Sequence, residues 1–300
     1  MAKPPSTPET TPEAAGGSVH AVPLELRGID FSSRPTRRKP IVLACGRWAE
    51  APADTPTKAT PSLRLTELRP LPTPAAYAAA LAEPGPWVAG CDLPFGLPRE
   101  LVEALGWPRC WPELIDHYAA LDRATIRATF AAFCAARPAG GKFAHRACDG
   151  PAGSSPSMKW VNPPVAYMLH AGVPPLRAAG CELPGLAAGD PSRRALEAYP
   201  GLLARELIGR RPYKSDDPAR QSAEQTAARE RIVTALEAGE SRLGLRLLLD
   251  AGLRSALVAD PRGDALDATL CLLQAAWASR QPNWGWPDGV DPIEGWILTA

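Results

Sequence analysis

The sequence lacks a long apolar run, a recognisable secretory signal and a strong net charge. The first would indicate a membrane protein, the second a secreted protein and the third a general attraction to polyanions. No uninterrupted apolar run approaches the roughly 18 residues that a membrane-spanning helix needs. Residues 1–20 lack the apolar core of a secretory signal and are expected to form a disordered tail. With a formal net charge of +1, any attraction to nucleic acid must come from a local basic patch. We therefore expect a cytoplasmic protein with no membrane partner.

Two chemical signatures are also missing. The seven cysteines are an odd number, and no two of them have the Cys-x-x-Cys spacing of a zinc site or a redox pair. Reduced thiols are the simplest account of them. No glycine-rich phosphate loop lies beside Asp30, which argues against a nucleotide-binding phosphotransferase.

The N-terminal half predicts strands followed by a helix and a further strand. Three β-rich runs, at residues 21–33, 39–48 and 62–71, predict an antiparallel meander. Thr73 before Pro74 predicts the N-cap of a short helix. The apolar run at residues 87–91 is typical of a strand buried on both faces, and it ends at Asp92.

The rest of the chain predicts mainly helices. Residues 99–190 are mostly of helical pattern around a Gly- and Ser-rich stretch, which we interpret as a helical insertion in a single domain over residues 21–300. A brief strand carries Glu197, and the last strong element is a helix at residues 263–279. This order predicts an α/β protein.

Acidic residues lie at the ends of several predicted core elements. If these carboxylates converge at one sheet edge, their mutual repulsion makes a hard cation such as Mg²⁺ or Mn²⁺ the natural partner. Two such ions can activate a water for hydrolysis of a phosphodiester. Each acid alone also has a structural interpretation, as a turn or capping residue or as a favourable charge at a helix start. The candidates are Asp30, Asp92, Glu197, Asp264 and Asp267.

Four short blocks carry a resemblance to a known family: GIDFSS, VAGCDLPFGLP, LEAYPGLLARELIG and GDALDATLCLLQAAW. In this order they resemble the domain-of-unknown-function family number 429, described as predicted nucleases of the ribonuclease H-like superfamily. The resemblance implies a mixed sheet flanked by helices, with the first three strands antiparallel. It implies that Asp30 and Asp92 are metal ligands on the first and fourth strands. It also implies that Glu197 is the acid of an E-x-x-P block, and that Asp264 and Asp267 are the acids of the final helix.

A nuclease also needs cations that hold phosphates. Three basic stretches supply candidates, although a charged turn or a helix-end cation is an equally ordinary interpretation of each. The predicted substrate-binding residues are Arg37, Arg38, Lys142, His145, Arg146 and Lys214.

The sequence thus favours a metal-dependent nuclease or phosphodiesterase that acts on DNA or RNA with bound Mg²⁺ or Mn²⁺. The alternative is a catalytically inactive binding or scaffold protein that keeps the same fold, because the near-zero net charge shows no clear basic groove. The pattern does not indicate an oligomeric state.

Overall fold

The computed structural model of the protein describes residues 23–50 and 60–300. The tail predicted at residues 1–20 lies outside these residues. Within them, every helix is too short or too polar to cross a bilayer.

A seven-stranded mixed sheet forms the centre of the fold, in the order β5-β6-β4-β1-β2-β3-β7. Its strands are β1 (Glu25–Asp30), β2 (Ile41–Trp48), β3 (Ser62–Leu71), β4 (Trp87–Asp92), β5 (Cys181–Glu182), β6 (Asp190–Glu197) and β7 (Arg246–Leu248). The pairs β1–β2 and β2–β3 are antiparallel, and the other four pairs are parallel. This confirms the prediction of an α/β fold whose first three strands are antiparallel.

Helices cover both faces of the sheet. They are α1 (Pro74–Leu81), α2 (Arg99–Ala104), α3 (Trp111–Ala120), α4 (Arg123–Ala135), α5 (Asp149–Ala152), α6 (Val165–Ala178), α7 (Pro200–Ile208), α8 (Ala223–Ala238), α9 (Ala251–Ala259) and α10 (Asp264–Ala278). One buried apolar cluster joins the sheet to α1, α3, α4 and α6, and a second joins it to α7, α8, α9 and α10. The two faces therefore have separate apolar cores.

Local sequence signals account for several of these elements. The Thr73 hydroxyl accepts a hydrogen bond from the Ala76 amide at 3.0 Å, so it caps α1 as predicted. Strand β6 is longer than the brief strand predicted around Glu197, because it begins at Asp190 beside β5. Helices α2 to α6 all lie between β4 and β5, within the stretch of helical pattern.

Helix α10 crosses the sheet at very short range, and two glycines make this possible. A Cβ atom on Gly28 of β1 would lie 1.9 Å from the Ala268 carbonyl oxygen, and one on Gly90 of β4 would lie 2.5 Å from that of Cys271. Glycine is therefore required at both positions, since a larger residue would collide with the helix backbone. The close approach fixes the first turn of α10 beside the ends of β1 and β4.

Candidate functional site

Asp30 and Asp92 are the last residues of two adjacent parallel strands and lie opposite each other in the register. Side chains alternate between the faces of a sheet. Asp30 therefore shares a face with Gly28, and Asp92 shares it with Gly90, which is the face that α10 covers. The two carboxylates consequently stand side by side under the start of that helix.

The first turn of α10 adds two further acids to this place. Asp264 opens the helix, and Asp267 follows one turn later with a fully buried side chain. We refer to Asp30, Asp92, Asp264 and Asp267 as the carboxylate cluster. The structure thus brings together four of the five acids that the sequence singled out.

The electrostatics of the carboxylate cluster are those of crowded, partly desolvated acids. Burial and the nearby charge of Asp267 hold the pKa of Asp30 well above its usual range. The same two causes raise the pKa of Asp92 to about 7. Burial, with a smaller contribution from Asp260, raises the pKa of Asp264 to about 6. At neutral pH the site therefore favours any positive charge placed among these side chains.

Lys214 and Tyr213 bind one member of the carboxylate cluster, Asp267. The Tyr213 hydroxyl donates to Asp267 Oδ1 at 2.6 Å, and the Lys214 ammonium donates to Asp267 Oδ2. Burial disfavours the Lys214 ammonium, but the negative charge of Asp267 prevails and holds its pKa well above the usual range. Asp267 is therefore the member of the cluster that is satisfied by protein groups.

Asp30 and Asp92 differ from Asp267 in this respect. Neither carboxylate receives a hydrogen bond from any of the residues that the structure describes, and both face a pocket of about 540 Å³. Besides these acids, the pocket is lined by apolar side chains, here called the apolar wall, and by small polar side chains, here called the rim. The wall consists of Phe31, Leu93, Pro94, Pro163, Pro164, Val165 and Met168, and the rim includes Ser32, Ser33, Ser154, Ser155 and Asn162.

Glu197, the fifth predicted acid, lies on the opposite face of the sheet. It ends β6 and pairs in the register with Cys91, not with Asp92. Arg146 donates to its two carboxylate oxygens at 2.7 and 2.6 Å, and the Phe95 amide donates at 2.9 Å. The same guanidinium binds Asp149 at 3.0 Å. We refer to Arg146, Asp149 and Glu197 as the Arg146 cluster.

The Arg146 cluster is almost completely buried, and its charges are matched by hydrogen bonds. The side chains of Arg146, Asp149 and Glu197 are at most 4% exposed. Burial raises the pKa of Glu197 above its usual range, and the guanidinium of Arg146 opposes that rise. Arg146 and Glu197 nevertheless border the same pocket as Asp30 and Asp92.

The remaining predicted substrate-binding residues lie farther from the carboxylates. Arg37 and Arg38 are exposed in the loop after β1, and Lys142 and His145 are exposed before α5. None of these four lines the pocket. The lysines and the unburied arginine that do line it are Lys39, Lys214 and Arg262.

Sequence reasoning did not single out Tyr213 or the apolar wall. Tyr213 could have been found as the neighbour of Lys214 in the stretch RPYK, because a buried tyrosine hydroxyl needs a partner. The wall at Pro163–Val165 carries no pattern that links it to Asp30, since the two are brought together only by the tertiary fold.

Within residues 23–50 and 60–300, no group of three or more His, Cys, Asp or Glu side chains is arranged closely enough to hold a metal ion. Comparisons of the chain with protein-family models, with curated proteins and with solved structures give no match. The function is therefore argued from the geometry of the carboxylate cluster and its pocket.

Proposed function

We propose that the protein is a metal-dependent nuclease or phosphodiesterase of ribonuclease H-like fold. One observation carries the proposal: Asp30 and Asp92 stand side by side at the ends of adjacent parallel strands, facing a pocket and receiving no hydrogen bond from the described residues. A protein that needed these acids only for structure would pair them, as it pairs Glu197. Unpaired acids that face a pocket are available to a ligand.

The architecture supports the proposal at the level of the fold. The mixed sheet, with three antiparallel strands first and helices on both faces, is the arrangement that the family resemblance implies. The positions of Asp30 on β1, Asp92 on β4 and the acids at the start of α10 agree with the same resemblance. A fold does not determine an activity, so the weight of the proposal rests on the site.

The donor set of the carboxylate cluster suits Mg²⁺ or Mn²⁺ in its chemistry. It consists only of carboxylate oxygens, which are the ligands that hard cations prefer. Asp30 and Asp92 would hold the ion. A third ligand would require Asp264 to move closer or Lys214 to release Asp267, because no three acids of the described residues lie close enough together for a metal ion as they stand. A bound ion would activate water and neutralise the developing charge on a phosphate. A role of Glu197 as a ligand stays a prediction, and it would require Arg146 to release that side chain.

The chain's own residues perform the remaining tasks of such an enzyme. The apolar wall of Pro163, Pro164 and Met168 offers a surface against which a nucleoside can pack. Lys39 and Arg262 line the pocket and could contact a phosphate, in exchange for their present acidic neighbours Asp216 and Asp264. Helix α10 holds Asp264 and Asp267 rigidly, because its contact with Gly28 and Gly90 leaves no room for it to shift.

The direct test is a calorimetric titration of Mn²⁺ into the wild type and into Asp30→Asn/Asp92→Asn, with cleavage assays on single- and double-stranded DNA, RNA and hybrids. We expect Mn²⁺ binding and metal-dependent cleavage in the wild type and neither in the variant. Asp288→Asn is the matched control, since Asp288 is an exposed aspartate outside the pocket. Full metal-dependent cleavage by the double variant would refute the proposal.

A catalytically inactive protein with the same fold is the second candidate function. The ion pair between Lys214 and Asp267 favours it, because the ammonium already neutralises part of the carboxylate cluster. This candidate predicts no calorimetric signal with Mn²⁺, whereas the enzyme requires one.

A further inference from the structure

A second concavity, of about 440 Å³, is lined in part by residues that are next in the chain to residues of the first pocket. We refer to it as the arginine pocket, because its charged lining residues are Arg205, Arg210 and Arg211. No carboxylate is among its described lining residues, which are otherwise Gly153, Ala204, Ile208, Gly209 and Tyr213. Its charge is therefore positive and locally unbalanced.

The end of helix α7 creates this surface. The helix stops at Ile208, and Gly209 follows with φ of 67°, a left-handed conformation that suits glycine. The chain then leaves the helix axis, and Arg210 and Arg211 become exposed. Within the described part of the chain, neither guanidinium has an ion pair or a hydrogen bond, whereas Arg205 is fixed by the Ala152 carbonyl and the Tyr199 ring. Two arginines are thus free to bind an anion.

The linings of the two pockets contain residues that are consecutive in the chain. Gly153 lines the arginine pocket and the next residue, Ser154, lines the pocket of the carboxylate cluster. Likewise, Tyr213 lines the arginine pocket and the next residue, Lys214, lines the pocket of the carboxylate cluster. The Tyr213 hydroxyl also binds Asp267. Consecutive Cα atoms are about 3.8 Å apart, so the two linings are adjacent at these two segments. A ligand that contacts both the carboxylates and the arginines would have to cross one of these two segments.

We propose that Arg210 and Arg211 bind a phosphate that neighbours the scissile one, so that the substrate is an oligonucleotide strand and not a mononucleotide. The inference rests on the proposed function. The planar guanidinium presents paired donors that match phosphate oxygens, and no acid in the arginine pocket competes for them. The apolar wall at Pro163–Val165 packs against the nucleoside beside the scissile phosphate, while the arginines fix the direction of the strand.

The test is the fluorescence anisotropy of labelled 12-nucleotide and 2-nucleotide single strands, of both DNA and RNA, without added metal. Arg210→Ala/Arg211→Ala is expected to raise the Kd for the 12-nucleotide strand about 10-fold and to reduce the salt slope by about 1.4, as for the loss of two phosphate contacts. The 2-nucleotide strand loses less affinity because it cannot fill both pockets. Arg210→Glu/Arg211→Glu extends the series in the same direction. Comparing DNA with RNA identifies which polymer carries the phosphate.

Arg127→Ala/Arg220→Ala is the matched control, since it removes two exposed arginines elsewhere on the surface. We expect it to change the Kd less than about 2-fold, because it alters only long-range charge. If the Arg210/Arg211 variant and the Arg127/Arg220 variant weaken binding equally, the arginine pocket has no role in binding. In that case the proposed function still stands if the wild type cleaves a strand. If the wild type binds no strand, the inference is overturned as well. If Mn²⁺-dependent cleavage is also missing, the proposed function fails with it.

Discussion

The carboxylate cluster and the Arg146 cluster lie at the same edge of the sheet, on opposite faces, and Asp30 and Asp92 of the first differ from Glu197 of the second in their hydrogen bonding. In the Arg146 cluster, Glu197 receives three hydrogen bonds from Arg146 and the Phe95 amide and is almost completely buried. In the carboxylate cluster, Asp30 and Asp92 receive none from the described residues and face a pocket. Glu197 has its partner within the protein, whereas Asp30 and Asp92 have none among the described residues and border the pocket.

The difference teaches how to interpret buried acids in general. A guanidinium that binds two carboxylates with near-ideal geometry fixes the segments that carry them, here the end of β6 and the start of α5. Acids whose repulsion is left in place raise the free energy of the folded state. Such a cost is common at functional sites, where a ligand relieves it.

The largest effect is expected from Arg146→Met. The substitution leaves Glu197 and Asp149 buried without their cation, so we expect a loss of about 3–5 kcal/mol in the free energy of unfolding. Denaturant unfolding measures it. Arg137→Met is the control, because the partner of Arg137 is the exposed Glu100 and such a pair contributes about 0–1 kcal/mol. Equal losses in the two variants would contradict the structural role of the Arg146 cluster.

Asp92→Asn is expected to stabilise the protein. The pKa of Asp92 is about 7 when folded and about 3.9 when unfolded, so between these values the folded state holds a proton that the unfolded state lacks. The free energy of unfolding therefore falls as the pH rises from about 4 to about 7. The neutral amide avoids this loss, and we expect a gain of about 1–2 kcal/mol at pH 8.

Thermal unfolding of Asp92→Asn at pH 8 and at pH 4 measures this effect. At pH 4 the gain should vanish, because the carboxyl is then protonated in the folded protein. Asp288→Asn should show neither the gain nor its pH dependence. A loss of stability in Asp92→Asn at pH 8 would mean that the carboxylate is structural after all.

Lys214→Gln is expected to destabilise the metal-free protein by about 1 kcal/mol, because Asp267 keeps Tyr213 but loses its ion pair. If the carboxylate cluster binds Mn²⁺, the added ion should stabilise this variant more than the wild type, since no ammonium competes for Asp267. Melting temperatures across an Mn²⁺ titration compare the two. Equal responses of the two proteins would place the ion elsewhere.

The smallest effect is expected from Lys142→Ala and His145→Gln. Both side chains are exposed and outside the pocket, so each change should alter the free energy of unfolding by less than about 0.5 kcal/mol. The sequence predicts that Lys142 and His145 bind the substrate, and measuring the Kd of the same two variants for an oligonucleotide tests that role. Arg37→Ala/Arg38→Ala extends this comparison to the loop after β1.

Much of the fold was accessible from the sequence because local patterns determine it. The apolar runs ending at Asp30 and Asp92 predicted two central strands, and the helical spacing after Gly263 predicted α10. The face of the sheet on which Glu197 lies could not be predicted from the sequence. A shift of one residue in strand register exchanges the two faces of a sheet, and the register of β4 with β6 appears in no local pattern. Nor could local patterns bring Arg146 to Glu197, 51 residues along the chain.

The contact of α10 with Gly28 and Gly90 has a consequence for the evolution and engineering of this protein. A methyl group at either glycine would lift the helix from the sheet and carry Asp264 and Asp267 away from Asp30 and Asp92. Substitution scanning should therefore find that Gly28 and Gly90 tolerate replacement as poorly as the acids themselves do. The distance between the strand acids and the helix acids is therefore set by the absence of a Cβ atom at two positions, each two residues before the acid that ends its strand.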